Sequence, residues 1–272
     1  MKKYLSKVPG YLAIFLPLLA YYISCFCGML FKNIINISTN GQLESYDYTI
    51  NCLLYAAFAL ITAILIMIYL RKNGIAALKY KTIKGVGDHM ITFGQFLIAF
   101  VIFYALCILI IDLLYLLFPT ATISDQNAVF NRVANFKTQW FPYIYVGIIV
   151  PIVEELYFRK MTMSIVARSI KNPYVVILIE SLLFMIIHCY SVPGLITVLL
   201  YGIFFGCLYY YTGSLWYSVL AHSVVNILSL SEINATIIVL ILMNLLLGAI
   251  ISLIGKAMKQ IQNNSADVVK GN

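Results

Sequence analysis

Charged residues are scarce in this chain of 272 residues, at 10% of the total, whereas an ordinary soluble domain has about 25%. Hydrophobic residues make up 62% of the chain, and its mean hydropathy is +0.95. So much apolar surface is more than a soluble core can bury, which excludes a soluble globular domain. The chain has only 10 acidic residues, so a carboxylate inside an apolar run indicates a specific structural or functional role.

Clustered charge and patterned cysteine are also missing. The 18 basic residues give a net charge of +8, but they are scattered between apolar runs, which argues against nucleic acid as a partner. They fit better as topology markers and contacts to anionic lipid. The six cysteines show neither metal-ligand spacing nor a secreted disulfide pattern. We therefore interpret them as packing residues.

Long apolar runs dominate what is present. About 20 apolar residues cross a bilayer, and the chain predicts an all-α polytopic membrane helix bundle with about eight transmembrane helices. We expect one domain over 1–259, with its catalytic core in about 140–230, and a polar cytoplasmic tail at 260–272. The predicted spans are 10–31, 50–70, 91–118, 140–158, 174–190, 194–211, 214–232 and 235–255.

The basic residues also predict an orientation. Lys and Arg concentrate at the N-terminus, after the second span, after the fourth span and in the C-terminal tail. These four segments fall on one side of an eight-span layout, and the positive-inside rule makes that side cytoplasmic. Both termini are then cytoplasmic. The size and short loops of the chain suit a bacterial plasma membrane.

Three sequence motifs place ionisable residues in or beside apolar runs. They are Glu154-Glu155 with Arg159, Phe184 with His188, and His222 with Asn226. A charge at the centre of a bilayer costs about 2.5–3.5 kcal/mol on insertion scales. Two carboxylates, two imidazoles and an amide are also the groups that can activate water.

The motifs can meet only if their helices bring them to one depth. The stretch 159–170 can continue the fourth helix along the interface, and Lys171-Asn172-Pro173 is a good helix breaker. Glu154 precedes Lys171 by 17 residues, and His188 follows it by 17. A hairpin that turns there puts both about 25 Å from the turn. Pro151 can bend the helix just before Glu154.

Spacing suggests a role for each carboxylate. Glu155 and Arg159 are i and i+4, which suits an intrahelical ion pair, so Glu154 is the freer carboxylate and the first choice of base. Glu180 can pair with Arg159 across the hairpin or orient nearby polar groups. Structural alternatives remain: interhelical ion pairs for the glutamates, a satisfied buried position for His188, and an interhelical hydrogen bond for His222 with Asn226.

The ordered set Glu-Glu-x-x-x-Arg, Phe-x-x-x-His and His-x-x-x-Asn resembles the CPBP family of CAAX proteases and bacteriocin-processing enzymes, also called Abi proteins. The resemblance covers roughly 140–230 and implies an α-helical intramembrane peptidase. It also implies that Glu154 and His188 activate water and that His222 and Asn226 stabilise the oxyanion. Glu155 completes the catalytic set, with support from Arg159, Phe184 and Glu180.

The resemblance leaves the cofactor open, because the family has been described both as metallopeptidases and as glutamate-type peptidases. If zinc binds, Glu154, His188 and His222 are the predicted ligands; otherwise we expect no cofactor. The predicted function is intramembrane cleavage of a membrane-associated protein or peptide precursor. The alternative is a non-proteolytic membrane regulator or bacteriocin self-immunity protein of the same fold, with a membrane sensor or transporter as partner.

Overall fold

The structure is a computed structural model that describes residues 15–38, 47–72, 86–121, 125, 140–188 and 190–231. Within these ranges it is helical and contains no strand, which confirms the predicted all-α polytopic bundle. Seven main helices lie in the described ranges. They are α1 (Leu16–Ser38), α2 (Asp47–Lys72), α3 (Val86–Leu117), α4 (Phe141–Ser169), α5 (Pro173–Ile186), α6 (Val192–Thr212) and α7 (Leu215–Leu230).

Five of these helices, α1 to α4 and α6, are long and apolar enough to cross a membrane, while α5 and α7 are shorter apolar helices. The seven helices overlap the first seven predicted spans, although α1 begins and ends later than the predicted 10–31 and α4 extends beyond 158. The predicted eighth span at 235–255 and the tail at 260–272 lie outside the described residues, so the count of eight stays a prediction. The apolar helices establish an integral membrane protein.

Helix α4 is one continuous rod that changes its hydrogen-bond pattern twice. Two π-helical segments, Tyr145–Ile149 and Leu156–Thr162, flank the α-helical stretch Val150–Glu155. Pro151 has no N–H to donate, so it disfavours the regular α-helical hydrogen bonds in the turn before it. The π segment occupies that turn, and such segments occur often at functional sites.

The turn between α4 and α5 lies where the sequence predicts it. Helix α4 ends at Ser169, and Asn172 caps α5 by accepting a hydrogen bond from the Tyr174 backbone N–H at 3.0 Å. Pro173 suits the first turn of a helix because its missing N–H needs no partner there. The stretch after Arg159 is helical as predicted, but it is largely buried in the bundle instead of lying along the interface.

Close helix packing holds α5 against α6. A Cβ atom added at Gly202 would lie 3.1 Å from Ser181 Cβ, and one at Gly206 would lie 3.0 Å from Ile177 Cγ2. Small residues at this spacing let two membrane helices approach closely. The contact brings α5, which carries Glu180, against the helix that leads to α7.

Polar contacts tie α4 to the first two helices. The Tyr157 hydroxyl donates to the Ala59 carbonyl at 3.0 Å and lies 3.4 Å from the Ser24 hydroxyl. Ser24 also donates to Thr62 at 2.9 Å. Helix α4 is therefore fixed between α1 and α2 on one side and α5 to α7 on the other.

Candidate active site

The first motif occupies the stretch of α4 between its two π segments and extends into the second. Glu154 is 5% exposed, and Glu155 and Arg159 are fully buried. Buried charges in an apolar bundle must be paired or hydrogen-bonded to be tolerated. The contacts of these three residues therefore decide what the site can do.

Arg159 joins two of the three buried carboxylates. Its Nε lies 2.9 Å from Glu155 Oε2, although the N–H direction is too bent for a hydrogen bond, so the contact is an ion pair. Its Nη1 donates to Glu180 Oε1 across the α4–α5 hairpin. Both predicted pairings of Arg159 are thus present, and they place Glu155 and Glu180 at one depth.

His222 on α7 lies between the two glutamates of the first motif. Its Nδ1 is 2.9 Å from Glu155 Oε1, a hydrogen bond that orients the ring. Its Nε2 is 3.7 Å from Glu154 Oε2, a separation too long for a direct hydrogen bond. That oxygen of Glu154 accepts no hydrogen bond from the residues that the structure describes. A carboxylate oxygen and an imidazole nitrogen thus face each other across a short gap.

Two aromatic rings form walls that Arg159 and His222 share. The Arg159 guanidinium lies 4.8 Å from the Phe184 ring centroid and 5.6 Å from that of Phe205. His222 stacks on Phe205 at 4.8 Å and meets Phe184 edge-on at 5.8 Å. The rings exclude water from the ion pairs and fix the plane of the imidazole.

His188 follows the end of α5 instead of lying on it. The sequence predicts a helix as far as 190, but α5 ends at Ile186, and the backbone N–H of His188 bonds to the Met185 carbonyl at 3.0 Å. Its Nδ1 lies 2.8 Å from the Phe184 carbonyl. In a continued helix, the backbone N–H of His188 would bond to the Phe184 carbonyl. The imidazole Nδ1 forms that hydrogen bond instead.

The position of His188 still suits a role at the site. A carbonyl only accepts hydrogen bonds, so Nδ1 carries a proton, and Nε2 holds the lone pair when the ring is neutral. The His188 ring lies 4.6 Å from the Phe184 ring, which also contacts His222. Both histidines therefore lie against Phe184.

Asn226 contacts α4 one turn before the glutamates. Its Nδ2 donates to the Val146 carbonyl at 2.8 Å. Within α4, the Val146 carbonyl could accept a hydrogen bond from the backbone N–H of residue 150 or 151. The N–H of Val150 bonds instead to the Tyr145 carbonyl, and Pro151 has no N–H. The Asn226 amide satisfies that carbonyl, and the predicted oxyanion role of Asn226 stays a prediction.

Three residues outside the motifs lie within electrostatic range of the Glu154 carboxylate. They are Tyr21 and Cys25 of α1 and Tyr145 of α4. These positions, and Phe205, have no signal in the sequence that distinguishes them from other apolar or aromatic residues. Only the packing of α1, α4 and α6 brings them to the site.

The residues of the site do not present a metal-binding group. A catalytic zinc ion takes about three protein ligands plus water. In the part of the chain that the structure describes, no three His, Cys, Asp or Glu side chains are grouped so that they could hold a metal ion. The predicted set of Glu154, His188 and His222 does not fit zinc in this arrangement. Zinc dependence stays a prediction, and no step below passes through a metal.

The fold and the site define a polytopic α-helical membrane protein with a buried carboxylate and histidine cluster. The family model described as type II CAAX prenyl endopeptidase Rce1-like matches residues 136–228. This match confirms the resemblance to the CPBP family, a protease family, over the segment that contains all three motifs. No curated protein and no solved structure matches the chain.

Proposed function

We propose that this protein is an intramembrane endopeptidase that cleaves a membrane-associated protein or peptide precursor. The observation that carries the proposal is the gap between Glu154 Oε2 and His222 Nε2, 3.7 Å wide and buried. Water bound beside both atoms is within reach of a base, and the protease family of the matched segment supports this chemistry.

The proposed reaction uses the two groups at that gap together with the other residues of the three motifs. Glu154, assisted by His188, takes a proton from water, and the oxygen forms a bond to the carbonyl carbon of the substrate. His222 and Asn226 stabilise the oxyanion that develops on the carbonyl oxygen. The proton passes to the leaving amine nitrogen as the C–N bond breaks. Glu155 and Arg159 hold His222 and the helix in place.

The charge of the cluster suits proton transfer. Of the three buried carboxyl groups, those of Glu155 and Glu180 pair with the Arg159 guanidinium, whereas that of Glu154 faces His222. Negative charge left uncompensated in an apolar site is costly. We infer that a proton moves between Glu154 and His222 through the water bound beside them, so that one of them can release it to the leaving group.

The substrate is proposed as a class. A peptide precursor such as a bacteriocin leader, or a membrane protein that undergoes a regulatory cut, suits a bacterial plasma membrane with both termini of the chain cytoplasmic. A prenylated CAAX protein is the substrate named by the family description. Its carboxyl-terminal peptide is included in the test for that reason.

Cleavage by the purified protein in detergent tests the proposal. The substrates are a farnesylated CAAX peptide and a mixture of unmodified quenched fluorescent peptides. We expect Glu154→Gln and His188→Ala each to lower kcat at least 100-fold, because each removes a group that activates water. Asp112→Asn, an exposed carboxylate on α3, is the matched control and retains activity.

Two outcomes would change the assignment. Full activity of Glu154→Gln contradicts its role as base and favours the non-proteolytic regulator, which binds a sensor or transporter without cleaving it. Loss of activity with a zinc chelator and recovery with zinc makes the protein a metalloenzyme, and the site would have to rearrange to bind the metal.

A further inference from the structure

An acidic residue outside the three motifs contacts the segment that carries His188. Asp125 lies 66 residues before Ser191 in the chain. Its Oδ1 accepts a hydrogen bond from the Ser191 backbone N–H at 2.9 Å, and its Oδ2 accepts one from the Ser191 hydroxyl at 2.5 Å. Both carboxylate oxygens are therefore committed to one residue.

Ser191 is the N-cap of α6, and it does not use its own side chain to cap that helix. Asp125 bonds to it at this helix start, where the partial positive charge of the helix dipole favours an anion. A charge-assisted pair of hydrogen bonds is shorter and stronger than a neutral one. The carboxylate thus fixes the start of α6 from a distant part of the chain.

Gly194 provides the space for this contact. A Cβ atom added at Gly194 would lie 2.6 Å from Asp125 Oδ2 and 2.7 Å from Tyr190 Cβ. Any side chain at this position would displace one or both neighbours. Asp125 and Tyr190 are therefore packed together over the first turn of α6.

Tyr190 connects this contact to His188. Its backbone N–H bonds to the His188 carbonyl at 2.5 Å, and its ring lies 5.9 Å from the imidazole, tilted by 30°. A shift of Ser191 would move Tyr190 and, through it, the backbone and ring of His188. On the other side, His188 contacts the end of α5, through the Met185 and Phe184 carbonyls.

We propose that Asp125 is a positioning residue for His188, acting through Ser191 and Tyr190. The proposal rests on the proposed peptidase function, in which His188 assists Glu154. Asp125 touches neither the reacting water nor the glutamates in this role. It determines whether the His188 ring keeps the hydrogen bond from Nδ1 to the Phe184 carbonyl and so presents Nε2 as the acceptor.

The first readout is the imidazole nitrogen spectrum of the protein labelled with ¹⁵N-histidine in detergent. The chain has three histidines, so single His→Gln variants assign the signals. In the unsubstituted protein we expect His188 to show one tautomer, with the proton on Nδ1. In Asp125→Ala we expect its two nitrogen signals to move toward the average of both tautomers, with His222 unchanged.

The second readout is kinetic. We expect Asp125→Ala to lower kcat 10-fold or more with KM changed less than twofold, and Asp125→Asn to lose less because its Oδ1 can still accept a hydrogen bond. Ser191→Ala removes one of the two hydrogen bonds and tests the same path if Asp125→Ala does not fold. Asp112→Ala on α3 is the matched control.

The spectroscopic readout does not depend on peptidase activity, so it separates the two proposals. A shifted His188 signal in a protein that cleaves no peptide leaves the positioning role standing and contradicts the proposed function. An unchanged His188 signal in folded Asp125→Ala or Ser191→Ala overturns the positioning role. So does a kcat in Asp125→Ala that equals that of Asp112→Ala.

Discussion

Arg159 holds two carboxylates together at a place where none of the three side chains contacts solvent. Its guanidinium pairs with Glu155 and Glu180 and lies against the rings of Phe184 and Phe205. A planar cation with several donors suits such a site, because it can serve two carboxylates and stack on an aromatic face at once. The geometry of the candidate site depends on this residue.

Removal of the Arg159 charge tests that dependence. Arg159→Leu leaves Glu155 and Glu180 buried without a counter-charge, which costs about 3–5 kcal/mol of stability. We expect a lower free energy of unfolding in detergent, together with loss of cleavage because Glu155 no longer orients His222. Thermal unfolding followed by circular dichroism provides the measurement.

The neighbouring basic residue serves as the control for this variant. Lys160 is exposed, and Lys160→Leu removes the same charge from the same helix without breaking a buried pair. Equal unfolding temperatures for the two variants would show that the ion pairs contribute little.

At the scale of the helix, the π segment before the glutamates explains a contact between α4 and α7. Gly147 lies in that segment, and a Cβ atom there would lie 2.6 Å from Ile227 Cγ1. The close approach brings Asn226 to the Val146 carbonyl, which the π pattern and Pro151 leave without a helical donor. The third motif therefore supports the backbone beneath the first.

A double-mutant cycle measures this support. Asn226→Ala leaves the Val146 carbonyl unpaired, at a cost of about 1–3 kcal/mol. Pro151→Ala supplies an N–H that can reach that carbonyl in the π pattern. We expect the loss of unfolding free energy in the double variant to be about 1 kcal/mol smaller than the sum of the losses in the two single variants. Equilibrium unfolding in detergent gives the coupling energy.

A second double-mutant cycle, in which Ser229 replaces Asn226, is the control for this measurement. Ser229 lies on the same helix as Asn226 but donates within it, to the Val225 carbonyl, so Ser229→Ala with Pro151→Ala should show no coupling. A coupling energy near zero for Asn226 would leave the oxyanion role as the remaining explanation of that residue.

The sequence predicts the local and periodic features of these helices well. The helix breaker at Asn172-Pro173 and the i, i+4 pair of Glu155 and Arg159 depend on neighbours in the chain, and the structure has both. The early end of α5 depends on the His188 side chain taking the Phe184 carbonyl, which no residue pattern indicates. The hydrogen bonds of Asp125 to Ser191 at the start of α6 join residues that are far apart in the chain, so the sequence alone does not predict them.

At the scale of the whole molecule, the contacts agree with spans that alternate in direction. Asp125 follows α3, and Ser191 precedes α6, and their hydrogen bonds place these two points on one side of the bundle. The α4–α5 turn lies at the other end of α4. Arg159, one of the basic residues used to orient the chain, is buried in ion pairs and carries no topological information. Lys160, Arg168 and Lys171 remain as markers near that turn.

Labelling at the two ends of α4 tests the orientation of the chain. The helix has 29 residues, long enough at 1.5 Å per residue to cross a core about 30 Å thick. Trp140 and Lys171 are exposed at its opposite ends. In intact cells, we expect a membrane-impermeant maleimide to label Trp140→Cys, and to label Lys171→Cys only after permeabilisation. The unsubstituted protein measures background from the native cysteines. The reverse pattern would place the basic turn outside the cell, whereas labelling of both positions in intact cells would contradict α4 as a membrane span.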